Sequence, residues 1–338
     1  YRRINPNGEV LGGPMYYLSA GLAELGYQRL GKVLAIFFAI CCCIASLCGS
    51  NMLQSNQAFH QFVNVTGGDT SFWADKGWLF GSILAIIVGT VILGGIKSIA
   101  KVTSKVVPIM AGVYLIAALF ILASNYQQIP HAINLIVSGA FNPAGVAGGI
   151  IGVVVQGFKR STFSNEAGMG AAAIAHATAS THEPVREGFV ALLEPFIDTV
   201  VICTITALVI VISGAYIDVE GIDGVAMTSR AFESVIWWFP YLLSFAVLMF
   251  AISTMISWAY YGSVAWRYLV GDGKVVNTAY KLLFCACTAL GASISLSSVI
   301  DISDAVFFSM AVANIFGLYL LAPTVKQDLN IYSKKYLA

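Results

Sequence analysis

Runs of about twenty apolar residues recur along this chain, at roughly 32–58, 77–96, 106–125, 143–178, 187–213, 237–266, 276–300 and 303–323. A helix of that length matches the hydrocarbon thickness of a bilayer. Lipid offers the backbone no hydrogen-bond partners, so a spanning segment must satisfy its own N–H and C=O groups as a helix. Eight such runs predict an all-α polytopic membrane protein. Composition agrees: 58% of residues are hydrophobic and 10% charged, against roughly 25% charged in soluble domains. A formal net charge of +1 supplies no basic footprint for nucleic acid. The seven Cys all lie inside apolar runs and read as small buried hydrophobes. No cofactor is expected.

The fourth run is unlike the others. Residues 145–157 are Gly-rich and apolar, Lys159-Arg160 follows, and residues 161–180 read STFSNEAGMGAAAIAHATAS. That is too apolar for a soluble loop and too rich in Gly and polar residues for a plain spanning helix. Irregular backbone at membrane depth is tolerated where it lines a cavity, and an interrupted hydrophobic segment points to a transporter's binding site. The expectation is a discontinuous helix: one half over about 143–162, a break around Ser164, Asn165 and Glu166 within 161–170, and a small-residue half to about 178.

The chain divides into a loop with an interfacial helix (1–31), three spans (32–125), a second set of spans (143–323) and a tail (324–338), all within one transmembrane domain over 1–338. Its first residues, YRRINPNGEV, read as a loop that follows an earlier span, so the sequence is expected to lack preceding helices. Alternating the loops places Arg2, Arg3, Arg29, Lys32, Lys97, Lys101, Lys105, Arg186, Arg267, Lys274, Lys281, Lys326, Lys334 and Lys335 on one side and only Lys76 and Arg230 on the other. The positive-inside rule makes the first side cytoplasmic, both chain ends included. The opposite side holds Asp218, Glu220 and Asp223. Trp73, Trp78, Trp237 and Trp238 stand at span edges, as an aromatic belt predicts. The G-x-x-x-x-G-K at 26–32 lacks Ser or Thr next and a strand before it, and Gly168-Met169-Gly170 lacks the strand and acidic residue of a dinucleotide fingerprint, so neither is a nucleotide site.

Polar groups at membrane depth are costly and mark pathways. Four sets stand out. Asn51 and Gln54, three apart on one face with Ser55 beside them, either face a pathway or bond a neighbouring helix. The break offers Phe163, Ser164, Asn165, Glu166 and Gly168. Lys159 and Arg160 are the cations nearest Glu166 in sequence, for pairing or gating. Glu194 and Asp198 lie four apart around Pro195, which predicts a kink; they carry protons, hold a cation or form a buried network. Ser253, Thr254, Ser257, Trp258 and Tyr261 offer hydroxyls that suit a hard cation such as sodium, or that bond their own helix carbonyls.

GGPMYYL, GSNMLQSN, LGGIKSI at 93–99, FSNEAGMG, EPFIDTVVICTITALV at 194–209 and STMISWAYYG together resemble the alanine or glycine:cation symporter family, from Tyr1 to about Tyr332. The resemblance implies a LeuT-type inverted-repeat fold in the cell membrane, with repeat helices 3 to 10 present and the first helices lacking. It implies sodium-coupled symport of small neutral amino acids, chiefly alanine and glycine, with sodium as coupling ion. By motif, Asn51 and Gln54 resemble the helix 3 share of the substrate pocket, Phe163 through Gly168 the helix 6 wall, and Thr254 and Trp258 the helix 8 share, with Ser253 and Thr254 near the sodium position. Gln156 and Ser161-Thr162 depart from the family pattern beside the pocket, which leaves substrate preference open. The alternatives are proton coupling through Glu166 or Asp198, an intramembrane enzyme, and a receptor. The enzyme reading lacks a nucleophile–base pair or metal set.

Overall fold

The computed structural model describes residues 1–5, 8, 10–141, 149–217 and 224–336. Those residues are helical almost throughout. A two-residue antiparallel ladder, β1 (Arg3–Ile4) with β2 (Val10–Leu11), opens the chain. Next come α1 (Pro14–Glu24), α2 (Gln28–Leu47), a π-helical stretch Cys48–Met52, and α3 (Leu53–Val65). Then follow α4 (Gly77–Leu93), α5 (Gly95–Ser124), α6 (Ile129–Ala140), α7 (Gly149–Asn165) and α8 (Ala172–His176). The chain ends with α9 (Pro184–Ala191), α10 (Leu193–Pro195), a second π-helical stretch Phe196–Cys203, α11 (Thr204–Ser213), α12 (Val225–Glu233), α13 (Phe239–Val270), α14 (Lys274–Gly291) and α15 (Leu296–Tyr336).

The boundaries follow local chemistry. Pro14 and Pro184 stand in the first helical turn of α1 and α9, where a missing N–H costs nothing. Gly214 ends α11 in the left-handed region at φ 68°, the ordinary glycine stop.

Among the described residues, five continuous helical stretches are long and apolar enough to cross a membrane: Gln28–Val65, Ser98–Ser124, Pro184–Ser213, Phe239–Val270 and Val299–Tyr336. The expected runs are thus helical, but three fall short of that standard. Helix α4 has 17 residues, α7 has 17 and ends at the break, and α14 has 18 with Lys274 and Lys281 in its first half. Two boundaries moved. The seventh run ends at Gly291, not 300, and α15 runs on through Pro323 to Tyr336, where a separate tail was expected. In the stretch expected to hold an interfacial helix, Met15, Leu18 and Leu22 of α1 are fully buried in the bundle. The first part of the fourth run, at 142–148, and the Asp218, Glu220, Asp223 loop lie outside the described residues.

The main core joins α1, α2, α13, α14 and α15. Along its seam Ser46 Oγ donates to Trp258 O at 2.7 Å and lies 2.7 Å from Tyr280 Oη. Gly262 lets these meet: a Cβ there would sit 1.8 Å from Tyr280 Oη. A second cluster joins α5, α11, α12 and the start of α13 around stacked Phe232 and Phe239, 4.6 Å apart. Only 6% of the most apolar window of Pro184–Ser213 is buried, so this segment presents its apolar side chains outward beside the break.

The two ends of the bundle are distinct. Arg2 donates to the carbonyls of Ala177, Ala179 and Thr181 at 2.7–3.0 Å. Lys335 pairs with Glu183 at 2.7 Å, and Arg267 with Asp272. Positions that loop alternation assigns to one side therefore meet at one end. At the other end Gln57 Oε1 accepts from Val225 N, and Asn56 Nδ2 donates to Ile294 O.

Candidate functional site

Helix α7 stops at Asn165, and Glu166 takes φ 54°, the one positive φ outside glycine among the described residues. Gly168 and Gly170 follow at φ 80° and 91°, and helix resumes only at Ala172. The break is thus real but lies at 166–171; Ser164 and Asn165 close the first half. The second half is shorter than the sequence reading held, ending at His176. A left-handed conformation costs an L-residue about 1–2 kcal/mol, so surrounding contacts must hold it. Asn165 Oδ1 accepts from Ala167 N at 2.9 Å, an Asx turn across the break, while its Nδ2 donates to Thr199 Oγ1 at 2.8 Å. Trp258 Nε1 donates to Glu166 Oε1 at 2.9 Å. Asn314 Nδ2 donates to Gly168 O at 2.8 Å, and its Oδ1 accepts from Tyr17 Oη.

A cavity of about 200 Å³ opens beside this break, lined by Ser164, Asn165, Glu166, Glu194, Asp198 and Tyr261 among others. Three stretches far apart in the chain deliver these groups: 164–166, 194–198 and Tyr261 of α13. The π-helical stretch that follows Pro195 is the distortion expected there, and it brings Asp198 to Ser164, whose Oγ donates to Asp198 Oδ2 at 2.7 Å. Glu194 Oε1 lies 2.9 Å from His176 Nε2. The structure therefore gathers three of the singled-out carboxylates, Glu166, Glu194 and Asp198, around one space. They do not converge on a point: among the described residues no group of three or more His, Cys, Asp or Glu side chains is arranged to hold a metal ion.

Lys159 and Arg160 do not pair with Glu166. Their nitrogens lie 2.6 and 2.5 Å from Asp304 Oδ2 on α15. A buried carboxylate needs a counter-charge, and α7 turns both cations toward α15, away from the break. Phe163 packs edge-on to Phe307, 5.0 Å between centroids, and Trp258 packs on the same ring at 5.1 Å. Trp258 is 2% exposed, so it reaches the site through its N–H to Glu166, with its ring body in the core.

Asn51 is fully buried and spends its amide on α14: Nδ2 donates to Phe284 O at 2.8 Å, and Oδ1 accepts from Thr288 Oγ1 at 2.7 Å. Gln54 is half-buried and makes no hydrogen bond among the described residues. On α13, Ser253 Oγ donates to its own helix at Phe250 O, 2.9 Å, and Ser257 does the same to Ser253 O. Thr254, half-buried, makes no such bond. The break, the carboxylates and Trp258 are thus brought together, and Asn51, Lys159 and Arg160 are engaged elsewhere. Sequence reasoning passed over Asp304, Asn314 and His176. Asn314 carried a signal, a lone polar residue inside an apolar run, and Asp304 was a carboxylate near the start of that run. His176 lay in plain view in the small-residue half of the break.

The sodium:alanine symporter family matches over residues 1–338. The sodium/alanine symporter AgcS of Methanococcus maripaludis is 37% identical over 337 residues, 99% of this chain and 72% of its own length. An uncharacterized transporter of Haemophilus influenzae is 34% identical, over 99% and 72% respectively. The probable sodium/glutamine symporter GlnT of Bacillus subtilis is 33% identical, over 99% and 67%.

Proposed function

Because the chain belongs to the sodium:alanine symporter family, and is a multi-pass membrane transporter and no enzyme, we propose that it carries a small neutral amino acid, alanine foremost and glycine with it, together with sodium. The observation that carries this reading is the helix break at 166–171 beside the cavity. Unwound backbone leaves N–H and C=O groups without helical partners, and these suit the carboxylate and ammonium of an amino acid or a small cation. A cavity of about 200 Å³ favours a substrate of few heavy atoms. Thr254, whose hydroxyl is uncommitted, is the α13 oxygen that the family resemblance assigns to sodium, which takes hydroxyl and carbonyl ligands; Ser253 would join it by giving up its helix carbonyl. Gln54 is the uncommitted α3 group, and the resemblance assigns Phe163 and Gly168 to the substrate wall.

The family resemblance further supports a LeuT-type pair of inverted repeats that rock around the break in alternating access. The basic residues gathered at the Arg2, Arg267 and Lys335 end support a cytoplasmic position for that end, in a cell membrane. One relative is named for alanine and another for glutamine, so the side-chain preference rests on the pocket walls.

The test is uptake by the full-length protein in proteoliposomes. Alanine accumulation should require an inward sodium gradient, and Thr254→Val should raise the sodium concentration needed for half-maximal uptake. The carboxylates around the cavity favour one second reading, proton coupling through Glu166 or Asp198. Accumulation that follows a proton gradient and ignores sodium establishes that reading and overturns the first.

A further inference from the structure

A second, larger cavity of about 490 Å³ lies on the other side of α8, lined by Arg2, Gly13, Tyr17, His182 and Glu187 among others. Ala172 and His176 belong to the walls of both cavities. Ala172 is a methyl group. His176 is the larger side chain that lines both spaces, and it is held from both sides. Its Nδ1 lies 2.6 Å from Glu187 Oε1, which faces the larger cavity, and its Nε2 lies 2.9 Å from Glu194 Oε1, which faces the break.

A neutral imidazole has one N–H and one lone pair, whereas an imidazolium has two N–H donors. Two carboxylates, one on each ring nitrogen, are both satisfied when the ring is doubly protonated. From this geometry we infer that His176 is a proton-binding site whose protonated form, clamped between Glu187 and Glu194, closes the break cavity off from the larger one. When the ring releases a proton to solvent from either nitrogen, that nitrogen's lone pair confronts a carboxylate, one bond is lost and the partition opens. The inference rests on the transport reading for its purpose, since the passage it closes leads to the break.

Charged and titratable groups face the ring from both cavities. From the break and the second π-helical stretch, Glu166 and Asp198 face the same small cavity, and Tyr261 faces it from α13. From the larger cavity come Arg2, Tyr1, Tyr17 and His182. Arg2 is committed to the carbonyls of residues 177, 179 and 181, which anchors the chain just beyond His176. Four carboxylates, Glu166, Glu187, Glu194 and Asp198, and two basic side chains, Arg2 and His182, thus surround the two cavities that the ring lines.

The test measures passage directly and needs no transport. In the full-length protein in sealed vesicles, Ala175→Cys marks the small cavity and Gly188→Cys, on the open side of α9, marks the large one. An impermeant thiol reagent is added from the side on which Gly188→Cys reacts, and labelling is read peptide by peptide. Each rate is first divided by that cysteine's thiolate fraction from its own titration, and the ratio of the corrected Ala175→Cys rate to the corrected Gly188→Cys rate then reads passage. That ratio should rise about tenfold as pH rises through the imidazole range, the equivalent of one charge-assisted hydrogen bond. His176→Gln should hold the ratio high at every pH, and His176→Arg, cationic throughout, should hold it low. A ratio in the parent protein that stays flat with pH overturns the inference, even if no His176 variant folds. A pH-dependent ratio without alanine uptake keeps the clamp and removes the substrate reading; normal uptake with a flat ratio does the reverse.

Discussion

The π-helical stretch Cys48–Met52 and the one at Phe196–Cys203 widen two apolar helices by the same backbone device, in opposite surroundings. In the first, Asn51 is fully buried and both ends of its amide are bonded to α14. Around it Ser46, Tyr280 and Gly262 close the α2–α13–α14 seam without space to spare. In the second, Asp198 and Thr199 reach across to Ser164 and Asn165 at a helix break, and the space between them is a cavity. A π-turn is often found at functional sites, but here the turn alone does not say which. Its partners decide: a fully satisfied network in a packed seam rigidifies, while polar groups that face a cavity are free to meet a ligand.

The strongest way to break this comparison is Gly262→Val. Its side chain would collide with Tyr280 and Ser46, and overpacking at a seam that cannot yield costs about 3 kcal/mol or more. The expected outcome is loss of monodisperse protein by size-exclusion chromatography; wild-type yield would show the seam to be soft. Asn51→Leu comes next. It removes both bonds to α14, although Thr288 Oγ1 can still donate to Phe284 O at 3.0 Å, and should lower thermal stability by about 1 kcal/mol, with uptake per folded molecule preserved. Unchanged stability with weakened alanine affinity would move Asn51 from the seam into the pocket.

At the break the order reverses. Asn165→Ala removes the Asx turn and the bond to Thr199, and should cost under about 1 kcal/mol of stability but cut uptake about tenfold or more, since misplaced binding groups are costly. Trp258→Phe keeps the ring on Phe307 and Tyr261 but deletes the donor to Glu166. Uptake should fall in a well-folded protein; unaltered uptake would leave Trp258 as packing alone.

The smallest effect lies outside the membrane. A hydrogen bond from Arg267 holds the Asp272 carboxyl below the usual carboxylate range. A depressed carboxyl pKa stabilises the fold above the unfolded value, about 3.9, and that contribution is lost as pH falls through the folded one. Asp272 is more than half exposed, so solvent screening leaves a few tenths of a kcal/mol. A melting-temperature difference between wild type and Asp272→Asn should exist at pH 7 and vanish in acid.

Much of the fold was legible from the residues. The apolar runs became helices, and Pro195 marked a distortion. The Gly-rich STFSNEAGMG stretch marked a break, because Gly168 and Gly170 accept positive φ without cost. The site was legible in part. Glu194 and Asp198 are placed together by helical spacing, and in the structure both line one cavity with Glu166. The link from Lys159 and Arg160 to Glu166 did not survive, because nearness along the chain is a poor guide once a helix turns two long side chains onto α15. The seventh run's end was misplaced by nine residues, since Gly291 to Ser295 are small or apolar enough to pass for span.

What the sequence determined by itself is what a bilayer demands locally: where apolar runs must be helical, where glycine lets one break, and which charged residues are unusual enough to matter. Each of these depends on residues within a few turns of one another. Tertiary structure alone decided who meets whom. Trp258 finds Glu166 across 92 positions, Arg160 finds Asp304 across 144, and Asn314 finds Gly168 across 146. Those pairings depend on how long helices pack, and in a membrane that packing is set by side-chain shape and by hydrogen bonds between helices, neither of which a run of apolar letters records.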